Sequence, residues 1–151
     1  MLRALVVLLS LAGLADALYF TLAYYGRVKK ARWVPQILCA REGSSCVTVL
    51  QTPYARVFGV PNSLLGIIYY VLLIVWGLGS SWPDFWFVGW NRSLVDFSFF
   101  DFLILASIIT MGLGFYLIYA LRRKLHVDCP LCYTAHAINA ALLVLLVLLA
   151  R

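Results

Sequence analysis

The sequence predicts an all-α fold: a polytopic membrane protein, a single bundle of four transmembrane helices with a cysteine-bearing loop capping one end. Two observations carry this. Apolar residues make up 64% of the 151 residues and charged residues 12%, against about 45 to 50% and about 25% in soluble domains. A water-soluble domain this small has too much surface to hide that much hydrocarbon. The apolar residues also fall in four runs, 2–25, 62–80, 97–121 and 130–150, each close to the about 20 residues that cross a hydrocarbon core about 30 Å thick. So little chain remains that residues 1–151 form one integral membrane domain, with residues 26–61 as its largest loop.

The first run also has features of a secretory signal, since Met1-Leu2-Arg3 precedes apolar sequence and Ala15-Asp16-Ala17 resembles a small-residue cleavage site. The apolar stretch does not stop there but continues to Tyr25, and that length favours an uncleaved spanning helix. Loop 26–61 carries six basic residues and two of the four cysteines. Within it Val47, Leu50, Tyr54 and Val57 recur at helical spacing, interrupted by Pro53, so short amphipathic pieces at the interface are expected. The second loop, 81–96, holds Trp82, Trp86 and Trp90, whose indoles favour the headgroup region and read as anchors. The third loop, 122–129, is short, so the third and fourth helices are antiparallel neighbours. The net charge of +6 comes from residues flanking apolar runs, where they meet lipid headgroups. Nucleic-acid binding is therefore not expected.

With four spans, the first and third loops lie on one side of the membrane, which brings Cys39, Cys46, Cys129 and Cys132 to the same face. Cys129-Pro130-Leu131-Cys132 opens the fourth helix. A cysteine at a helix start meets unpaired N–H groups and the positive end of the dipole, which stabilise the nucleophilic thiolate. Pro130 suits the first turn, where its missing N–H is not needed. At about 100° per residue, Cys129, Cys132, His136 and Asn139 share one face, and beyond Asn139 the helix is apolar up to Arg151. Polar groups inside a spanning helix are costly and mark function. Thiol/disulfide exchange is the reading favoured over two inert disulfides or an all-thiolate zinc site. His136 and Asn139 have the competing role of hydrogen-bonding neighbouring helices, favoured for Asn139. Asp16 and Asp101 read as interhelical hydrogen bonds or interface positions rather than catalytic groups.

Further residues resemble a known family. Cys39 and Cys46, the run Val49-Leu50-Gln51-Thr52-Pro53-Tyr54-Ala55, the stretch Phe58-Gly59-Val60-Pro61-Asn62-Ser63-Leu64-Leu65-Gly66 and the Cys129–Cys132 motif resemble, in order and over nearly the whole chain, the vitamin K epoxide reductase family. The loop-to-helix stretch is similar to prokaryotic members, which oxidise thioredoxin-like partners and pass the electrons to a membrane quinone of the ubiquinone or menaquinone type. Vertebrate members reduce vitamin K epoxide and vitamin K. The resemblance implies that Cys39 and Cys46 are a loop shuttle pair and that Cys129 and Cys132 are the active-site pair, with Cys132 beside the quinone. It implies that Asn62 hydrogen-bonds a quinone carbonyl and that Tyr69 and Tyr70 line the pocket; Tyr69, seven residues on, shares the helix face of Asn62. No metal is implied. One departure is His136, which stands four residues after the last cysteine where the vertebrate pattern has tyrosine. Histidine also donates a hydrogen bond, and it titrates near neutrality.

The charges bear on sidedness. Arg27, Lys29, Lys30, Arg32, Arg41, Arg56, Arg122, Arg123 and Lys124 lie on the cysteine side, against Arg3, Arg92 and Arg151 on the other. The bias of Lys and Arg toward cytoplasmic loops predicts a multi-pass cell-membrane protein with its cysteines facing the cytoplasm, opposite to the usual family arrangement. The alternatives are vitamin K or vitamin K epoxide reductase activity, as the resemblance also implies, and, from another class, a non-catalytic membrane scaffold stapled by structural disulfides.

Overall fold

The computed structural model describes residues 1–27, 52–57, 59–79, 99–126 and 129–150, and these are mostly helical. Four apolar helices dominate: α1 (Leu2–Tyr24), α2 (Asn62–Leu78), α3 (Phe99–Tyr119) and α4 (Pro130–Leu149). Among the described residues three helices, α1, α3 with its extension to Leu125, and α4, are long and apolar enough to cross a membrane. α2 has 17 described residues, a rise of about 26 Å at 1.5 Å per residue. That is a little short of a hydrocarbon core about 30 Å thick. The tryptophan loop, 81–96, lies outside the described residues.

Local sequence explains where these helices stop. α1 ends on Gly26 at φ +69°, a left-handed conformation that glycine adopts at no steric cost. Gly26 N–H donates to Ala23 O at 3.1 Å and Arg27 N–H to Leu22 O at 2.9 Å, so two carbonyls of the last turn are satisfied within a Schellman motif. Before α2, Pro53–Ala55 forms a single 3-10 turn. Arg56–Val57 (β1) then pairs antiparallel with Val60–Pro61 (β2), across a turn in which Gly59 has φ +82°. Tyr54 and Val57 therefore belong to a turn and a strand rather than to one amphipathic helix; Pro53 and Pro61 cannot donate into a helical ladder. The expected partners Val47 and Leu50 lie outside the described residues. The minimal hairpin also qualifies the all-α expectation.

α3 runs further than the expected end at residue 121. It passes into a π-helical turn, Ala120–Leu125, and closes at His126 in the left-handed conformation. Arg122, Arg123 and Lys124 fall in this last turn, where the negative end of the helix dipole favours cations. Arg122 also lies over the Tyr133 ring at 5.6 Å, tying the end of α3 to the start of α4. Asp101 sits exposed in the first turn of α3, where the opposite dipole end favours a carboxylate.

Apolar side chains face outward on every helix, Leu8, Leu18, Ile68, Val75, Ile109 and Val144 among them, as a lipid-facing surface requires. Association in lipid rests on close packing rather than on water exclusion, and α1 and α2 obtain it through small residues. The Tyr70 ring lies on Gly13, with its Oη 2.9 Å from where a Cβ would stand. Val7 fills the space beside Gly77 in the same way. α1 packs along α2 and α4, and α4 along α3, whereas the backbones of α2 and α3 stand further apart and meet through side chains, Tyr69 with Ser107 and Trp76 with Phe100. The bundle is thus a ring with one slack seam. Its main core gathers Val6, Ala17, Tyr69, Tyr70, Leu73, Leu103, Leu142 and Leu146.

Candidate functional site

A second, smaller core lies at one end of the bundle, where Phe20 of α1, Leu121 of the π-helical turn, Cys129 and Cys132 pack together with Tyr24, Leu125 and Leu131 around them. Cys129 is the N-cap of α4, extended at φ −120° and ψ 97°, and Pro130 occupies the first turn. The Cys129 sulfur accepts the Cys132 N–H at 3.3 Å. Both cysteines are buried. The Cys132 thiol donating to Cys129 pulls the Cys129 thiol below its ordinary range. Backbone N–H groups of Cys132 and Leu131 act in the same sense, and burial and the Asp16 charge oppose them. The balance favours the thiolate at Cys129, in the same sense as a helix start does.

Below this end a cavity of about 380 Å³ lies between the helices. Its walls are mostly apolar, and Leu65 and Ile68 of α2 with Phe102, Leu105 and Ile109 of α3 line it while remaining exposed on the outer surface. The cavity therefore opens sideways, through the slack seam, toward lipid. Cys132, His136 and Asn139 of α4 line it, as do Asn62, Tyr69 and Tyr70 of α2. Cys129 is not on its wall but one turn above, against Phe20 and Leu121. Of the face expected to carry four polar residues, three reach the cavity and the fourth caps the helix. Cys39 and Cys46 lie outside the described residues. The chain leaves the described region at Arg27 and re-enters at Thr52, both at the Cys129 end, where Arg56 lies over Tyr24 at 5.7 Å.

The hydrogen-bond inventory separates side chains already committed from those that are free. Tyr69 Oη lies 2.8 Å from Ser107 Oγ, which itself donates to Leu103 O at 2.7 Å, so the tyrosine is the donor. Tyr70 Oη donates to Asn139 Oδ1 at 2.7 Å. Both tyrosines thus spend their hydroxyls on helix-to-helix bonds and offer the cavity ring surface. Asn139 is the interhelical link expected of it, yet it also lines the cavity. By contrast, both ring nitrogens of His136 are buried without a hydrogen-bond partner among the described residues. The imidazole is seated on Gly114, whose absent Cβ would lie 2.7 Å from His136 Nδ1.

Sequence reasoning misjudged or missed two features. Asp16 was expected to make an interhelical hydrogen bond or to lie near the interface; it lines the cavity, and no hydrogen bond or ion pair holds it among the described residues. Gly114 carried no signal, because its importance is the ring resting on it.

No curated protein matches the chain. The model of the vitamin K epoxide reductase family matches residues 4–147, nearly the whole chain, and the chain belongs to that family of membrane thiol oxidoreductases.

Proposed function

We propose that this protein oxidises a thioredoxin-like thiol partner and passes the electrons through Cys39 and Cys46, then Cys129 and Cys132, to a membrane quinone, all four apolar helices spanning the bilayer. The observation that carries the proposal is the position of Cys132, a buried cysteine on the wall of an apolar cavity open toward lipid. The cavity suits such a molecule. About 380 Å³ falls within the about 300 to 1,000 Å³ of ligand pockets. The orphaned His136 nitrogens incur a desolvation cost that a carbonyl oxygen relieves.

Asn62 and His136 would hold the quinone oxygens in this reading, with the rings of Tyr69 and Tyr70 on the cavity wall beside them. When bound, the quinone supplies a two-electron, two-proton sink. The partner's thiolate attacks the Cys39–Cys46 disulfide and leaves oxidised. The loop thiols then reduce the Cys129–Cys132 disulfide by a second exchange. Cys132, on the cavity wall, gives up the electron pair, and Cys129 attacks its sulfur to close the disulfide again. Pro130 and the N-cap hydrogen bond hold the two sulfurs at the helix start throughout.

The test is turnover of purified protein in lipid with quinone and a dithiol substrate. Cys132→Ala should abolish quinone reduction and trap Cys129 in a mixed disulfide with Cys39 or Cys46; full turnover in that variant would refute the relay. Sidedness rests on charge. Arg27, Arg56, Arg122, Arg123 and Lys124 cluster at the Cys129 end and Arg3 at the other, over the Trp76 ring at 5.3 Å. That bias supports a cytoplasmic cysteine face, suited to a cell whose intracellular proteins carry disulfides. An impermeant thiol reagent that labels reduced Cys39 or Cys46 in intact cells reverses this orientation.

A further inference from the structure

Among the described residues, Asp16 is the one carboxyl group lining the cavity, and the relay above makes no use of it. It lies eight residues before the end of α1, about 12 Å into the helix at 1.5 Å per residue. An ionisable group at that depth is costly and is found where it faces a polar task. No hydrogen bond or ion pair holds it among the described residues.

The helix register puts Asp16 level with the chemistry. α1 and α2 run antiparallel, Gly13 beneath Tyr70 and Ala17 3.6 Å from where a Gly66 Cβ would stand, so Asp16 is level with Ile67. α2 and α4 both start at the Cys129 end, and the Tyr70 to Asn139 hydrogen bond makes Ile67 level with His136. Asp16 and His136 therefore share one level, a single helical turn below Cys132, on the wall of one cavity. Asp16 is close enough to act electrostatically on Cys129, Cys132, Tyr19 and Tyr70.

Resting on the quinone reading, we propose that Asp16 is the proton-transfer residue of the site: its carboxylate takes the Cys132 thiol proton and delivers it to the quinone oxygen. The reduced pair enters as a Cys129 thiolate and a Cys132 thiol. The Cys132 S–H bond breaks, the S–S bond forms, and two electrons pass to the quinone. One of the two protons gained by the quinone oxygens comes from Cys132 through Asp16. The other comes from water and equals the one Cys129 released on ionising. Asp16 begins and ends as a carboxylate. His136, the other basic group at this level, is given to the quinone oxygens in the reading above, which leaves the carboxylate as the acceptor for the thiol.

The titratable groups facing Asp16 or its cavity among the described residues are Tyr19 on its own helix, Tyr69 and Tyr70 on α2, Cys129 at the N-cap of α4, and Cys132 and His136 on α4. α3 contributes Thr110 and apolar side chains to the wall, none of which titrates. The experiment has two arms on protein in lipid. Without quinone, alkylation of reduced Cys129 against pH should show its midpoint moved down in Asp16→Asn, because a negative charge beside the thiols is gone. With quinone, single-turnover oxidation of the Cys129–Cys132 pair should slow about 100-fold in Asp16→Asn, the lower end of what a general base contributes. Asp16→Glu should recover most of the rate. A wild-type oxidation rate and pH profile in Asp16→Asn overturns the proposal. So does a wild-type enzyme whose oxidation rate does not change across the pH range in which carboxyl groups and thiols titrate, a measurement that needs no variant to fold. If the wild type passes no electrons to quinone, the quinone reading falls instead, and the alkylation arm still reports whether Asp16 governs the thiols.

Discussion

Gly114→Ala isolates the contribution of the imidazole seat. An added Cβ would stand 2.7 Å from His136 Nδ1, 3.2 Å from Cε1 and 3.3 Å from Cγ. Ordinary contact begins near 3.4 Å, so the ring must retreat by about 0.7 Å. In a closed core such overpacking costs about 1 to 3 kcal/mol. Here the ring has cavity space beside it, and the retreat goes into the space the quinone needs. The penalty should therefore appear in binding more than in stability. Misplacing a positioned group by about 1 Å costs up to about 100-fold, and a shift of about 0.7 Å is expected to raise the quinone KM about 10-fold. Gly112→Ala is the control, since a Cβ there meets nothing within 4 Å, and both variants gain the same helix propensity, about 1 kcal/mol. The assay is quinone-dependent dithiol oxidation together with thermal unfolding in the absence of quinone. Equal KM values for the two variants would refute the placement of His136 in the binding site. A loss of stability confined to Gly114→Ala, with unchanged KM, would mean that the seat is packing alone.

Two further outcomes follow from the site geometry. Cys129 is held below the ordinary thiol range, first by the Cys132 thiol, so its thiolate persists as pH falls below about 8.5; alkylation of Cys129 should show a midpoint below that value, and Cys132→Ala should move the midpoint up. Tyr70→Phe leaves Asn139 Oδ1 without its 2.7 Å donor. Hydrogen bonds between membrane helices are worth about 0.6 kcal/mol on average and up to about 1.7, so a small loss of thermal stability is expected, and no loss would mean that Asn139 finds another donor.

The extent to which the site was legible varied with the physics of each residue. The position of Cys129 at the helix start was legible because capping is local: an extended cysteine followed by proline and a helical run specifies its own neighbours. That Asn62, Tyr69 and Tyr70 line one wall with Cys132, His136 and Asn139 was only partly legible. Helical periodicity assigns residues to a face of their own helix and says nothing about which other helix that face meets. The spent hydroxyls of Tyr69 and Tyr70 depended on Ser107 and Asn139, 38 and 69 residues away in sequence. The π-helical end of α3 was hidden because Arg122, Arg123 and Lys124 read as a loop, although basic residues also suit a helix C-terminus.

The residues alone made it legible that this chain is a helical membrane protein, where α1, α2 and α4 begin, and that two cysteines open α4. Those properties depend on composition, periodicity and capping, which act over a few residues. Packing between helices settled that the backbones of α2 and α3 stand apart at a seam, that His136 rests on Gly114 with no hydrogen-bond partner for its nitrogens among the described residues, and that Asp16 comes level with His136 beneath Cys132. Each of these depends on the register between helices, which in lipid is set by close contacts of small residues such as Gly13, Gly66 and Gly77 rather than by any pattern along one strand of sequence.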